Sequence, residues 1–233
     1  MPKVIHHLFT DDELSRRKTQ DLITSNYAKL IAEKNIEDIS LENVLEESGI
    51  SRSTFYKCFP GVNSLSELTA KKLANELFSE LNSSVQKADD IAIIVASKTR
   101  LGIRLAVSVP KLARVALKIK WPDRNAGLRF LPDMKKDIEQ GIKQGRFSDM
   151  PAAIGVNIIF STLKSVIQEI TTGDFSPDAE ILYVNQAIYQ MLLGLGVDEK
   201  SALEISQIPS SELPPYPKKG ITGNLLKLIA NNR

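Results

Sequence analysis

The strongest structural signal in this chain is the stretch ESGISRSTFYKCF, residues 47–59. Gly49 and the apolar Ile50 precede SRST, a run of small polar and basic residues, and aromatic residues follow it. Glycine tolerates the left-handed conformation that ends many helices, and Ser51 is a favoured residue type for capping the next one. Two short helices joined by such a turn have the spacing of a helix-turn-helix.

A helix that follows Ser51 has two chemically different faces. Phe55 and Phe59 lie four residues apart, so they share one face and are expected to pack inward together with Ile50. The outward face carries hydroxyls and cations but no acid: Arg52, Ser53, Tyr56 and Lys57, with Thr54 at its edge. Such groups reach phosphates and base edges when a helix enters the major groove. Residue chemistry alone leaves DNA binding and a solvated helical hairpin equally open.

Helical patterns surround this motif. From Arg16 onward, apolar residues recur at the spacing of one helix face: Ile23, Tyr27, Leu30 and Ile31. Ser40 is expected to cap a second helix, with Asn43 where a capping box normally has Glu or Gln. The inner face of that helix is expected to comprise Leu41, Val44, Leu45 and Ser48. Ser64 is expected to cap a long fourth helix.

The rest of the chain also has helical patterns, interrupted by prolines and glycines, without strand alternation or an internal repeat. The fold class predicted is all-α. We expect a flexible leader over 1–14, a three-helix helix-turn-helix domain over 15–62, a larger helical domain over 63–205 and a Pro-rich C-terminal tail over 206–233.

Composition favours a soluble protein. The 233 residues are 42% hydrophobic with a net charge of +2, so nucleic-acid affinity would need a local patch. The single cysteine, Cys58, excludes an intramolecular disulfide and is interpreted as a small buried residue rather than a redox switch. No signal peptide is recognised, and no window is expected to approach the roughly 18 apolar residues of a membrane span. We therefore expect a cytoplasmic protein with no membrane partner.

Catalytic motifs do not occur in the sequence. It has no HExxH, GxSxG or P-loop pattern and no paired cysteines, so neither an enzyme nor a cofactor is expected. The only histidines, His6 and His7, are adjacent in the leader, and a disordered end is a better interpretation than a metal site.

Charge is distributed unevenly. Residues 1–80 contain 10 Lys and Arg against 13 Asp and Glu, but cations cluster at 16–18 and on the helix after Ser51. The region 91–122 has no acid and seven cations: Lys98, Arg100, Arg104, Lys111, Arg114, Lys118 and Lys120. An anionic effector and an acidic neighbouring helix with Asp133, Asp137 and Glu139 are two interpretations. A solvated basic face is the preferred one.

The segment DISLENVLEESGISRSTFYKCFPGVNSLSEL, residues 38–68, resembles the N-terminal domain of the TetR family of bacterial transcriptional regulators. The matching features are Ser40, Val44, the turn over 48–50, Ser51-Arg52, Phe55-Tyr56, Phe59 and Leu65. The likeness covers about residues 16–75, and the stretches EQGIKQGRFSDMPAA and YQMLLGLGVDEK are similar to later helices of the family. The tail beyond about residue 206 has no clear counterpart.

The resemblance implies that double-stranded DNA is a partner of this chain. Residues expected to contact it are Arg17, Lys18, Ser40, Ser51, Arg52, Ser53, Thr54, Tyr56, Lys57 and Asn63. Two positions depart from the family pattern. Val62 stands where a lysine usually contacts a phosphate, and Leu45 replaces a small alanine. Asn63, or backbone N–H groups at the start of the fourth helix, is expected to take over the missing phosphate contact.

The resemblance also implies a homodimer formed by the last two body helices, about 150–172 and 177–195. Such a dimer would present two recognition helices about 34 Å apart to a palindromic operator. A small-molecule effector of unknown identity would bind inside the body and release the operator, and a repressor is expected because repression is the commoner outcome in such families. The apolar residues expected to line a cavity would serve equally as ordinary core: Leu101, Leu105, Leu112, Val115, Trp121, Phe130, Met134, Ile138 and Phe160. The alternative function is a helical protein–protein adaptor that does not bind DNA.

Overall fold

The computed structural model describes residues 11–84, 89–108 and 131–209, together with Ala113, Leu117 and Gly223. All regular secondary structure in these residues is helical, which confirms the all-α fold class. The elements are α1 (Asp11–Glu33), a 3-10 turn (Ile36–Asp38), α2 (Leu41–Ser48), α3 (Arg52–Cys58), α4 (Val62–Ser84), α5 (Ile91–Val107), α6 (Leu131–Lys143), α7 (Ala152–Thr172), α8 (Pro177–Gly194) and α9 (Glu199–Ser206).

Two compact units divide the chain between Ala70 and Lys71, inside α4. We call the described residues 11–70 the head and 71–209 the body. The first turns of α4 belong to the head because Leu65, Thr69 and Ala70 are buried there. Burial also raises the pKa of Tyr27 on α1, and this effect is partly opposed by a hydrogen bond with Ser66 of α4.

Helix ends in the head follow local sequence signals. Ser40 caps α2 through a capping box, in which Asn43 N donates to Ser40 Oγ over 3.2 Å and Ser40 N donates to Asn43 Oδ1 over 3.1 Å. Gly49 ends α2 with a φ of 61°, the left-handed conformation expected of it. Ser51 caps α3 by accepting from Thr54 N over 3.1 Å.

Two expected boundaries in the head are wrong. Helix α1 begins at Asp11, so residues 11–14 are helical rather than part of a flexible leader. Helix α4 begins at Val62, and Ser64 therefore lies inside its first turn instead of capping it. The Ser64 hydroxyl accepts from Gly61 N over 3.4 Å and donates to Gly61 O over 2.7 Å, so it reaches back from the first turn as the third residue of a capping box does.

The head core comes mainly from α1, α2 and α3. Ile23, Tyr27, Leu30 and Ile31 of α1 are all buried, as their spacing predicts. On α2, Val44 and Ser48 are buried, whereas Leu41 and Leu45 are half-buried. The inner face of α2 is therefore narrower than expected.

The body packs around α5, which contacts α6, α7, α8 and α9. Helices α6 and α7 approach closely at Gly155, where an added Cβ would lie 2.8 Å from Ile138 Cγ2. The shared core includes Val95, Ile103, Leu163 and Ile188.

Helix α7 is long and apolar enough, by length and composition alone, to cross a membrane, with a mean hydropathy of 1.2 over 18 residues. The expectation that no segment would approach this criterion is therefore wrong. Core helices of soluble proteins meet it as well, and seven α7 residues are buried within the body.

Several sequence-based expectations lie outside the described residues. These concern His6 and His7, the cations at 111, 114, 118 and 120, the cavity candidates at 112, 115, 121 and 130, and the tail from 210 onward except Gly223.

Candidate nucleic-acid interface

Aromatic side chains anchor α3 from within the head. Phe55 and Phe59 are buried, with their ring centroids 5.6 Å apart, and Cys58 is buried beside them. Gln20 of α1 donates from Nε2 to the Cys58 backbone oxygen over 3.2 Å, which fixes the end of α3 against α1. Burial raises the pKa of the Cys58 thiol, although nearby Arg16 partly opposes this. The thiol is therefore poorly suited to act as a nucleophile or redox switch.

The opposite face of α3 lies in solvent. Arg52, Ser53, Tyr56 and Lys57 are exposed and Thr54 is half-buried, which is the arrangement that the helical spacing predicts. Among the described residues, Ser53, Tyr56 and Lys57 have no side-chain hydrogen bond or ion pair. Their donors are therefore available to an external anion or base edge.

Hydroxyls at the helix starts already serve the fold. Ser40 and Ser51 accept from backbone N–H groups as caps. Ser51 Oγ also lies 2.9 Å from Thr54 Oγ1, and Ser40 Oγ donates to Asn43 Oδ1 over 3.1 Å. These side chains position α2 and α3, and a contact with DNA would use only their remaining hydrogen-bonding capacity.

Arg52 forms an ion pair that the sequence analysis missed. Its Nη2 donates to Glu42 Oε1 on α2, with side-chain exposures of 58% for Arg52 and 66% for Glu42. The two residues are ten positions apart on different helices. No periodicity rule links them, and only the angle between α2 and α3 brings them together.

The remaining predicted contact residues lie on α1 and α4. Arg17 and Lys18 are exposed on α1, and Asn63 is exposed in the first turn of α4. Gln20, two positions after Lys18, bonds to the end of α3, so this part of α1 lies beside α3. Val62, which replaces a typical lysine, is half-buried and offers no charge.

Two cations of the body, Lys98 and Arg100, bond to other helices of the body and do not belong to a solvated basic face. Lys98 Nζ lies 2.6 Å from Asp137 Oδ2, which confirms an acidic neighbouring helix for this residue. Arg100 is only 6% exposed and donates to Asn185 Oδ1 and to Ser206 O. Burial and nearby Arg104 lower the pKa of Arg100 from its ordinary value. A solvated basic face is therefore wrong for both Lys98 and Arg100.

A family model described as "Tetracyclin repressor-like, C-terminal domain" matches residues 90–208, just over half of the chain. The chain belongs to the tetracycline repressor-like (TetR) family of transcriptional regulators. The match falls on the body, whereas the sequence resemblance was strongest in the head, so the two observations are complementary. No curated protein matches the chain by sequence.

Several solved structures share the fold. RolR without ligand is 22% identical, with a TM-score of 0.68, over 84% of this chain and 99% of that one. RolR in complex with resorcinol is 21% identical, with a TM-score of 0.66, over 86% and 99%. A protein from Shewanella sp. PV-4 described as a TetR-family transcription regulator is 13% identical, with a TM-score of 0.61, over 76% of this chain and 97% of that one.

Proposed function

We propose that this TetR-family regulator is a cytoplasmic homodimeric repressor that binds a palindromic operator through α3 and releases it when a small molecule binds the body. The observation that carries the proposal is the outward face of α3. It presents Ser53, Tyr56 and Lys57 to solvent without an internal hydrogen bond among the described residues, while Phe55 and Phe59 hold the helix from inside.

The contact surface follows from the chemistry of that face. Arg52, Ser53 and Thr54 lie at the start of α3, where a recognition helix meets base edges, and Tyr56 and Lys57 lie one turn later within reach of phosphates. Further contacts are proposed for exposed groups on the second turn of α1 and at the starts of α2, α3 and α4: Arg17, Lys18, Ser40, Ser51 and Asn63.

In-vitro selection of duplexes from a random pool tests this function. We expect a palindrome, because a two-fold dimer presents the same helix to both half-sites. Lys57→Ala and Tyr56→Ala should each weaken binding to the selected site by about tenfold while the melting temperature stays unchanged, because both side chains are exposed.

Lys34→Ala is the matched control, since it removes one exposed lysine from the same unit outside the proposed surface. Equal losses for Lys57→Ala and Lys34→Ala would contradict a specific role of α3. Recovery of no sequence from the pool would favour the adaptor function. A selected operator also provides the assay for effectors, which should release it on titration.

The proposed dimer interface lies on α7 and α8. Apolar residues on these helices fall on two faces. Val156, Ile159, Ile188 and Leu192 are buried inside the body, whereas Ile154, Ile181 and Leu182 are exposed. A second apolar face on the same helices is what a four-helix interface between two copies requires.

Substitution of an exposed apolar residue tests that interface. Leu182→Glu should shift the protein from dimer to monomer in light scattering, because the carboxylate would be buried against the partner. Leu203→Glu on α9 is the control, since Leu203 is 53% exposed and Leu182 is 67% exposed. A Leu182→Glu protein that stays dimeric would place the interface elsewhere. Ile188 is unsuitable for this test because it lies in the body core.

A further inference from the structure

The ion pair between Arg52 and Glu42 joins the first turns of the two helices of the helix-turn-helix. Arg52 is the first residue of α3 and Glu42 is the second residue of α2. A carboxylate is favourable near a helix N-terminus and a cation is not, because the helix dipole places positive charge there. Arg52 therefore occupies a position that α3 itself does not favour, and Glu42 offsets that cost.

The contribution of this pair to stability is small. Both side chains are more than half exposed, and ion pairs in such positions contribute about 0–1 kcal/mol. The pair becomes important when Arg52 contacts a second anion in addition to Glu42. A nucleic acid offers Arg52 two kinds of partner, phosphate oxygens and base edges. The Glu42 carboxylate affects these two contacts differently.

We infer that Glu42 is a specificity-determining residue for the DNA binding proposed above, on which this inference rests. Phosphate attraction is sequence-independent and depends on net charge, so the Glu42 carboxylate weakens it. A base-edge contact uses directed donors. Arg52 keeps donors for such a contact, because a guanidinium has five N–H groups and Glu42 engages the group at Nη2. Glu42 thus lowers affinity for arbitrary DNA more than affinity for the operator.

The same helix provides a matched control. Glu47 lies on α2 and pairs with Lys29 of α1, with Lys29 Nζ 3.6 Å from Glu47 Oε1. Glu47→Gln removes the same charge from the same helix without changing the partner of Arg52. A difference between Glu42→Gln and Glu47→Gln therefore reports the Arg52 pair rather than overall charge.

Fluorescence anisotropy with a random-sequence duplex and with the selected operator measures the effect between 50 and 200 mM salt. Glu42→Gln should bind the random duplex about three- to tenfold more tightly than wild type at 50 mM salt. Its log–log salt slope should be steeper by about 0.9, the value for one more phosphate contact, so the gain should shrink about threefold by 200 mM. The gain on the operator should be smaller, which lowers the ratio of specific to non-specific affinity.

Two results would overturn the inference. One is a Glu42→Gln protein that binds both duplexes like Glu47→Gln. The other is an equal gain when Glu42→Gln is added to an Arg52→Gln background, since the effect would then not pass through Arg52. Either result leaves operator binding by wild type intact. If wild type bound neither duplex, the proposed function itself would be wrong, and this inference with it. Circular dichroism melts confirm that each variant is folded.

Discussion

The head and the body use charged side chains in opposite ways. In the head, the pairs Arg52–Glu42 and Lys29–Glu47 lie on the surface, and Lys57 has no ion-pair partner among the described residues. In the body, Lys98 and Asp137 are only 23% and 19% exposed, and Arg100 is buried. Exposed charges can exchange partners at little cost, whereas buried ones hold helices in place.

The body cations tie helix ends together. Arg146 Nε donates to both carboxylate oxygens of Asp90, over 3.1 and 2.9 Å, and Arg146 Nη1 lies 3.2 Å from Asp198 Oδ2. Asp90 caps α5 and Asp198 caps α9. Arg100 donates over 2.6 Å to Ser206 O, at the negative end of the α9 dipole. These contacts act on the arrangement of the body rather than on an external ligand.

Among the substitutions that test this contrast, Arg100→Ala is expected to have the largest effect on the free energy of unfolding. It leaves Ser206 O and Asn185 Oδ1 without their donor and opens a cavity, so the free energy of unfolding should fall by about 2–4 kcal/mol. Urea denaturation measures this loss. Lys135→Ala is the control, because its pair with Glu139 is exposed and its loss should cost less than about 0.5 kcal/mol. Similar values for the two variants would remove the distinction between buried and surface cations.

Arg146→Gln is expected to have a smaller effect on the free energy of unfolding. The Arg146 side chain is 25% exposed and its partners are more exposed, so water can replace part of what is lost. Urea denaturation should show a loss of about 1–2 kcal/mol, since two helix caps lose their shared donor. A loss as small as that of Lys135→Ala would show that Arg146 does not link the two caps.

Asp198→Asn is expected to have the smallest effect, and one that depends on pH. Hydrogen bonds from Ser201 lower the pKa of Asp198 from its ordinary value, and Arg146 adds to this. Because the folded-state pKa is depressed, the stabilisation is present at neutral pH and is lost as pH falls through that value. Asparagine still caps a helix. The wild-type protein should therefore be the more stable at pH 7, and thermal melts should show this advantage shrinking in acid.

Local signals in the sequence predicted the head well. Ser40, Gly49 and Ser51 each bond to residues no more than four positions away along the chain, so their caps and turn follow from residue type alone. The inward Phe55 and outward Tyr56 follow from helical spacing in the same way. Ser64 was misassigned because a serine can stabilise a helix start either as the cap or from inside the first turn.

Long-range pairs were not predictable. Glu42 and Arg52 belong to different helices, and Arg100 meets Ser206 across a separation of 106 residues. The sequence shows a basic region over 91–122, but a cation on a solvated face and a buried cation that caps another helix have the same local pattern.

The sequence by itself determined the all-α class, the helix-turn-helix with its two chemically distinct faces, and the apolar character of α7 and α8. These properties depend on interactions within about one or two helical turns. Only the tertiary structure decided which apolar residues of α8 are buried and which charges are paired. Those outcomes depend on which helix packs alongside. The residues adjacent in sequence do not specify that helix.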